Sequence, residues 1–186
     1  MPILTRETEL FPFDLLDRKD ILSEEGMGWW AVYTISRREK ELMRRLEPMG
    51  ISFYCPMIEK KYRSPAGRAR ISYVPMFSNY VFVHGDEETR HKIWTTNCVS
   101  QCVTVPDGEK LTHDLKQIKQ LITAGAPVTL EELLQPGTSV RVKSGSLAGQ
   151  EGVIIERRGK RHLLVAVTFL QQGVSVEIED YAVEAI

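Results

Sequence analysis

The sequence predicts an α+β fold in which a mainly antiparallel sheet packed with helices is followed by a small five-stranded β-barrel. Three observations predict it. Segments of strand character alternate with segments of helical periodicity up to residue 125. Beyond residue 136 the pattern changes to short β-runs separated by turns. Within the first of these regions, residues 74–83 predict a turn followed by a β-branched and aromatic strand.

The N-terminal elements follow in the order β-α-β-β-β-α-β-α. Residues 29–35 predict a strand, and Ser36 with Glu39 three residues later has the capping-box pattern of a helix start. Strand character returns at residues 51–58. A basic excursion follows at residues 60–70, and its Ser64-Pro65-Ala66-Gly67 centre is typical of a hairpin tip.

The remaining N-terminal elements are bounded by caps and turns. Asp86 is suited to cap a short helix through Trp94, and residues 99–105 predict another strand. Thr112 is expected to cap a helix that Gly125 and Pro127 end.

These elements predict four segments: an extension at residues 1–27, a first domain at 28–125, a linker at 126–135 and a second domain at 136–186. Within the linker, residues 129–132 could form one helical turn. The second domain contains five short β-runs, at residues 139–143, 152–156, 162–169, 174–178 and 181–185. So many short strands in so few residues favour a strongly bent barrel.

Composition narrows the class of protein. No apolar run is long enough to span a bilayer, and the first residues lack a signal-peptide pattern, so we expect a cytoplasmic protein without a membrane partner. Three unevenly spaced cysteines do not predict a disulfide framework. The histidines and cysteines lack metal-ligand spacing, and no phosphate loop or nucleophile elbow is present. We therefore expect no metal, no cofactor and no catalysis.

The net charge of −1 hides a strong segregation of charge. Residues 1–27 carry three basic and seven acidic side chains, whereas residues 37–70 carry ten basic and four acidic ones. The basic region is compatible with contact to a phosphate backbone. The alternative is a solvated helix face followed by a charged hairpin.

The strand within residues 74–83 is apolar on both faces. Tyr80 and Phe82 share one face, and Val81 and Val83 share the other. Either both faces are covered inside the fold, or the aromatic face is a docking surface for another protein. Periodicity alone leaves both interpretations open.

The chain resembles the NusG family of transcription elongation factors in three places. Trp29-Trp30-Ala31-Val32-Tyr33 is similar to the opening strand of the family, and Phe77-Ser78-Asn79-Tyr80-Val81 is similar to its Phe-Pro-(Gly/Asn)-Tyr signature, with Ser78 in place of proline. Residues 136–142, followed by Gly145, Gly149 and Gly152, resemble the KOW motif. The resemblance implies a NusG N-terminal (NGN) domain and a C-terminal KOW barrel.

Within the family the chain is more similar to the specialised paralogue RfaH than to housekeeping NusG. Cys55-Pro56-Met57-Ile58 and Asn79 favour that branch. Residues 89–92, Thr-Arg-His-Lys, depart from the His-Thr-Thr-Thr patch of the paralogue. In that branch the C-terminal domain can also refold as a helical hairpin, but the β-favouring residues 165–169 predict strands here.

The resemblance implies that the first domain binds the clamp helices of RNA polymerase and suppresses pausing and termination. The implied aromatic pocket consists of Tyr33, Phe77, Tyr80 and Phe82. It further implies contact with the non-template DNA strand. The implied residues for that contact are Arg37, Arg38, Arg45, Trp94 and Asn97, although Trp94 could be core and Arg45 merely solvated.

For the KOW domain the resemblance implies a small-subunit ribosomal protein or the Rho terminator as a partner. Phe169 aligns with an aromatic residue at that contact, and as a strand residue it could equally be core. We expect a monomer. Two alternatives stay open: a housekeeping NusG that recruits Rho, and a KOW module that binds RNA or the ribosome.

Overall fold

The computed structural model describes residues 7–18, 25–63, 67, 69–131, 137–178 and 181–186. Arg68, Pro136, most of the predicted hairpin tip and parts of the predicted extension and linker lie outside the described residues. The chain divides into two compact units, Met1–Gly108 and Glu109–Ile186. In the described residues, no helix combines the length and apolar character needed to cross a lipid bilayer.

An antiparallel five-stranded sheet forms the centre of the N-terminal unit. Its strands are β1 (Leu10–Phe11), β2 (Gly28–Thr34), β3 (Ser52–Tyr54), β6 (Tyr80–Gly85) and β7 (Val99–Thr104), in the order β1-β3-β6-β2-β7. The strand predicted at residues 51–58 is interrupted at Cys55-Pro56. After this break, β4 (Met57–Arg63) and β5 (Ala69–Pro75) pair as a separate two-stranded ribbon.

The extension contributes to this sheet, which its acidic and proline-interrupted sequence did not predict. Strand β1 pairs with β3, and the Phe11 and Phe53 rings lie 6.3 Å apart. A short 3-10 helix, Leu15–Asp17, follows and buries both of its leucines. Residues 7–17 are therefore an ordered part of the fold.

Three α-helices are present in the described residues: α1 (Glu39–Leu46), α2 (Glu87–Thr95) and α3 (Gly108–Thr123). Helix α2 begins as predicted, because the Asp86 carboxylate accepts the backbone N–H of Thr89 at 2.8 Å. The capping box predicted from Ser36 is wrong, since α1 begins after Arg38 without a side-chain cap. The cap predicted at Thr112 is also wrong, because α3 begins one turn earlier.

Both faces of the central strands are buried along most of their length. On one face, Val81 and Val83 of β6 join a core that includes Leu42, Met43 and Leu46 of α1. The opposite face carries Trp29 and Ala31 of β2 and Phe82 and His84 of β6, which are also buried. This double burial explains why the sequence is apolar on both faces of these strands.

The C-terminal unit contains the five predicted β-runs, but its sheet differs from the predicted five-stranded barrel. The strands β8 (Val128–Glu131), β9 (Thr138–Val142), β10 (Glu151–Arg157), β11 (Lys160–Val167), β12 (Gln172–Glu177) and β13 (Val183–Ala185) are arranged as β13-β9-β10-β11-β12-β8. The sheet has six strands and is not closed. The sixth, β8, occupies part of the predicted linker, so its residues form a strand rather than a helical turn.

All of helix α3 after Gly108 falls in the second compact unit, and its place in the first domain stays a prediction from the sequence. Its polar side chains contact the loops and strand ends of the sheet: the Asp114 carboxylate accepts the Thr168 N–H at 2.9 Å, and the Gln117 side chain accepts the Glu151 N–H at 2.6 Å. In the sheet, a Cβ at Gly152 would lie 2.4 Å from the carbonyl oxygen of Leu164. Glycine there permits the close approach of β10 and β11.

Candidate functional site

Two tyrosines meet at one end of the N-terminal sheet. Tyr33 on β2 lies directly opposite Tyr80 on β6, so both side chains are on the same face. Their ring centroids are 5.1 Å apart, and the rings meet edge to face at 72°. Both side chains are half-buried, which leaves part of each ring exposed to solvent.

The two predicted phenylalanines form a second and deeper pair. Phe77 lies in the turn before β6 and Phe82 lies within β6, with ring centroids 6.5 Å apart at 82°. Phe77 is 1% exposed and Phe82 is fully buried. The four predicted aromatics thus form two edge-to-face pairs. Only Tyr33 and Tyr80 offer surface to a partner.

The turn that leads into Tyr80 is held by a buried carboxylate. Asn79 adopts a left-handed backbone conformation, φ 66°, which asparagine tolerates better than most residues. Its N–H donates to Glu39 at 2.7 Å, and its carbonyl accepts the Thr34 N–H at 2.8 Å. Ser78, where the family signature has proline, is exposed. The turn is therefore fixed by Asn79 and its partners.

The predicted basic residues follow β2 and lie on α1. Arg37 and Arg38 are both exposed, and Arg37 has a positive φ of 63°. The Glu41 carboxylate is shared by two of the predicted cations, at 3.0 Å from Arg38 and 2.5 Å from Arg45. This shared carboxylate orients both guanidinium groups at the surface, where such pairs contribute little to stability.

Arg45, Trp94 and Asn97 meet at the end of α2. Arg45 Nη1 donates to the carbonyl oxygen of Thr96 at 2.9 Å, and Thr96 lies between the other two residues in the chain. The core role weighed for Trp94 is wrong, because its side chain is 41% exposed. Asn97 is exposed and left-handed, with φ 53°. A guanidinium, an indole and an amide thus share one exposed corner.

The last residues of β2 connect the tyrosine pair to this corner. The Thr34 N–H is bonded to Asn79, and the next N–H, that of Ile35, donates to the Cys98 carbonyl at 2.8 Å. One strand end therefore holds both the turn before Tyr80 and the loop after α2. Sequence reasoning missed Glu39, because its partner Asn79 lies on another element and leaves no local pattern. It also missed Glu41, although the i−3 and i+4 spacing of Arg38 and Arg45 is a local signal that could have identified it.

The other predicted positions are less well placed for a shared site. Phe169 lies in a 3-10 helix, Thr168–Leu170, and is half-buried, so the prediction of a strand residue is wrong. The three cysteines are free thiols. Burial raises the pKa of Cys55, and it raises that of Cys102 to about 11, so both thiols stay protonated and unreactive near neutral pH. Among the described residues, no group of three acidic, histidine or cysteine side chains could hold a metal ion.

An antiparallel sheet with helices, carrying exposed tyrosines beside a basic corner, has the features of a binding module. The family model described as "Transcription termination factor nusG" matches residues 27–121, which is more than half of the chain. The chain therefore belongs to the NusG family and is a transcription elongation or termination factor. NusG-family proteins are non-catalytic and bind RNA polymerase. No individually curated protein matches the chain significantly.

Proposed function

We propose that the chain is an antitermination factor that binds the clamp helices of RNA polymerase through the surface formed by Tyr33 and Tyr80. The half-exposed tyrosine pair carries the proposal, because it is the part of the predicted pocket that a partner can touch. Phe82, two residues after Tyr80 on the same face of β6, is buried against Phe77 and supports the proposal as a neighbouring apolar residue. Tyrosine is enriched among residues that dominate binding energy at protein interfaces.

Binding of this kind acts on transcription by shifting a conformational equilibrium. A factor that binds the active polymerase better than the paused one raises the active population by its difference in affinity for the two states. A preference of about 1–3 kcal/mol changes that population ratio by roughly 5- to 150-fold. Suppression of pausing and termination then needs no chemistry from the chain.

The exposed corner is proposed to contact the non-template strand. Arg37, Arg38 and Arg45 offer sequence-tolerant contacts to phosphates, the exposed Trp94 indole can stack on a base, and the Asn97 amide can bond to a base edge. The same strand end holds this corner and the tyrosine pair. A partner complex that presents protein and DNA side by side would engage both.

The finer assignments complete the proposal. We assign an NGN domain to residues 28–125 and a KOW domain to 136–186, joined by residues 126–135, of which 128–131 form β8 of the C-terminal sheet. We also place the chain in the specialised, operon-specific branch of the family. Phe169, half-buried and partly accessible, is the proposed contact for a ribosomal protein or Rho. The proposed location is the cytoplasm, and the proposed state is a monomer.

The first test replaces the tyrosines. Tyr33→Ala and Tyr80→Ala are each expected to weaken binding to isolated clamp helices about tenfold or more, the loss typical of a truncated interface hot spot. Tyr62→Ala is the matched control, because Tyr62 is 46% exposed on the β4–β5 ribbon. Biolayer interferometry measures affinity, and circular dichroism checks the fold. Folded tyrosine variants that bind as tightly as the control would exclude the pocket.

The second test addresses the exposed corner. Trp94→Ala and Arg45→Ala are expected to weaken binding to a single-stranded non-template oligonucleotide, and Arg45→Ala also lowers the dependence of log affinity on log salt by about 0.7 per lost phosphate contact. Arg44→Ala is the control, since its side chain is directed to Glu7 at 3.5 Å. If the control and Arg45→Ala give the same affinities and salt slopes, the corner is not the DNA site.

A further inference from the structure

A stripe of polar side chains runs along helix α3 beside its apolar residues. Asp114, Gln117 and Gln120 recur at intervals of three residues, a spacing that places their side chains next to each other on the helix surface. Asp114 is 4% exposed and Gln117 is 8% exposed, so both are buried although they are polar. Burial of a polar group costs free energy unless the group is hydrogen-bonded, and the C-terminal sheet supplies the bonds.

The members of this polar stripe bond to two different places on the sheet. The Gln117 side chain accepts the N–H of Glu151, the first residue of β10, at 2.6 Å, and Gln120 contacts the side chain of the preceding residue. Asp114 instead accepts the N–H of Thr168 at 2.9 Å, directly after β11. The stripe thus holds the start of β10 at one place and the segment after β11 at the other.

The segment after β11 is the 3-10 helix Thr168–Leu170, whose own sequence provides no cap. Val167 precedes it and has no side-chain oxygen, and it makes no capping hydrogen bond. The first N–H groups of a helix have no acceptor within that helix. The Asp114 carboxylate fills this role from 54 residues away in the chain. A hydrogen bond to a carboxylate is stronger than one between neutral groups.

The other end of this 3-10 helix is closed locally. The backbone N–H and the side-chain Nε2 of Gln171 both donate to the Thr168 carbonyl oxygen, at 3.2 and 2.7 Å. Gln171 is left-handed, with φ 54°, a conformation that commonly ends a helix. Phe169 and Leu170 lie between the two closed ends and are half-buried. The 3-10 helix is therefore a fixed turn that carries two neighbouring, partly accessible apolar side chains.

We propose that Asp114 is a positioning residue, whose carboxylate fixes this turn in the conformation in which Phe169 contacts the small ribosomal subunit. The inference rests on the contact proposed for Phe169 above. Three helical residues are too few to be stable by themselves, so the turn depends on its remote cap. Without the cap, binding would have to order the turn, which lowers affinity. Because Asp114 is buried, its effect on a partner has to pass through the turn.

The test measures the affinity of the full chain for purified small ribosomal subunits by biolayer interferometry. Asp114→Ala is expected to weaken binding about tenfold, the loss of one hydrogen bond to a charged group. Asp114→Asn keeps an acceptor oxygen, so its affinity should return to within about threefold of that of the unchanged chain. Gln117→Ala is the matched control, because it removes the bond to Glu151 and leaves the 3-10 helix capped, and its affinity should not change.

Two further measurements separate positioning from a general loosening of α3. Hydrogen exchange at the Thr168 amide should become faster in Asp114→Ala and stay unchanged in Gln117→Ala. In a Phe169→Ala background, Asp114→Ala should have little further effect on affinity, because residues that act through one contact are not additive. Circular dichroism checks the fold. If Asp114→Ala loses its strands, Asp114→Ser, which is still polar but one atom shorter, takes its place in the series.

The outcomes separate this inference from the contact on which it rests. If Phe169→Ala binds as tightly as the unchanged chain, the proposed contact is wrong and the inference falls with it. If Phe169→Ala weakens binding and Asp114→Ala does not, the inference alone is overturned. Equal losses in Asp114→Ala and Gln117→Ala, or additive losses in the Asp114→Ala, Phe169→Ala double variant, would also overturn it.

Discussion

The hydrogen bond between Glu39 and the turn before Tyr80 gives the sharpest prediction. The Glu39 side chain is 7% exposed, and its carboxylate accepts the Asn79 N–H at 2.7 Å. In Glu39→Ala this backbone donor loses its acceptor, and its bond to a charged group is worth about 1.5–3 kcal/mol. We therefore expect the free energy of unfolding to fall by about that amount, measured by urea denaturation.

The same substitution should weaken polymerase binding, because the turn positions Tyr80. The Asn79 carbonyl accepts the Thr34 N–H at 2.8 Å, next to Tyr33 on the same strand. Loosening the turn would release one end of the tyrosine pair. The affinity for the clamp helices is then expected to fall in a variant that is still folded under the conditions of the binding assay.

Two control variants separate the hydrogen bond from general disruption. Glu39→Gln keeps an acceptor of similar size, so its stability should lie between those of Glu39→Ala and the unchanged chain. Asn79→Gly keeps the backbone N–H donor and suits the backbone φ of 66°, so its free energy of unfolding should fall only slightly. If Glu39→Ala unfolds at the same urea concentration as the unchanged chain, the reasoning is refuted. If stability falls while clamp-helix affinity does not, the turn does not orient Tyr80.

Three further predictions concern the extension, a helix cap and the C-terminal sheet. Phe11→Ala should lower the free energy of unfolding, measured in urea, by roughly 1–3 kcal/mol, because the half-buried ring packs on Phe53. Truncation of an aromatic side chain that is fully exposed should leave that free energy nearly unchanged. The hydrogen bond from the Thr89 N–H lowers the pKa of Asp86. The Asp86 carboxylate therefore stabilises the fold above its unfolded pKa, and this stabilisation is lost as pH falls through its folded pKa. Asp86→Asn keeps a good helix cap without the charge, so the free energy of unfolding should depend less on pH in the acid range. Gly152→Ala should destabilise the C-terminal sheet by about 1–3 kcal/mol, seen as faster hydrogen exchange there, because its Cβ would meet a backbone carbonyl at 2.4 Å.

Elements with strong local patterns could be predicted from the sequence. Strands β2 and β6 follow from their β-branched and aromatic runs, and the start of α2 follows from Asp86. The start of α1 could not be predicted in the same way. Its Ser-x-x-Glu pattern is a cap only if the glutamate turns back to its own helix, and here Glu39 instead bonds to Asn79, forty residues away in the chain.

Non-local pairing explains the two strands that the sequence did not predict in the linker and in the extension. Strand β8 forms because β12 offers it an edge, and β1 forms because β3 does. Short segments of this kind gain little from their own propensity, so their sequences carry a weak pattern. The prolines at 127 and 136 favoured a linker, and the sequence left the extension open between disorder and a short helix. The partner strand stabilises the extended form of both segments.

The individual residues of the candidate site could be proposed from the sequence, but their arrangement on one surface could not. The sequence could propose Tyr80 and Trp94 separately, Tyr80 from the Phe-Ser-Asn-Tyr signature and Trp94 from its alignment with the specialised branch of the family. Their connection depends on the end of β2, where two successive N–H groups bond to the turn before β6 and to the loop after α2. Because one strand end fixes both, a partner that touches both pays little to order them, and rigid pre-organisation of this kind favours tight binding. We therefore treat the exposed corner and the tyrosine pair as one surface, on which the tyrosines offer aromatic contacts to a protein and the corner offers contacts to nucleic acid.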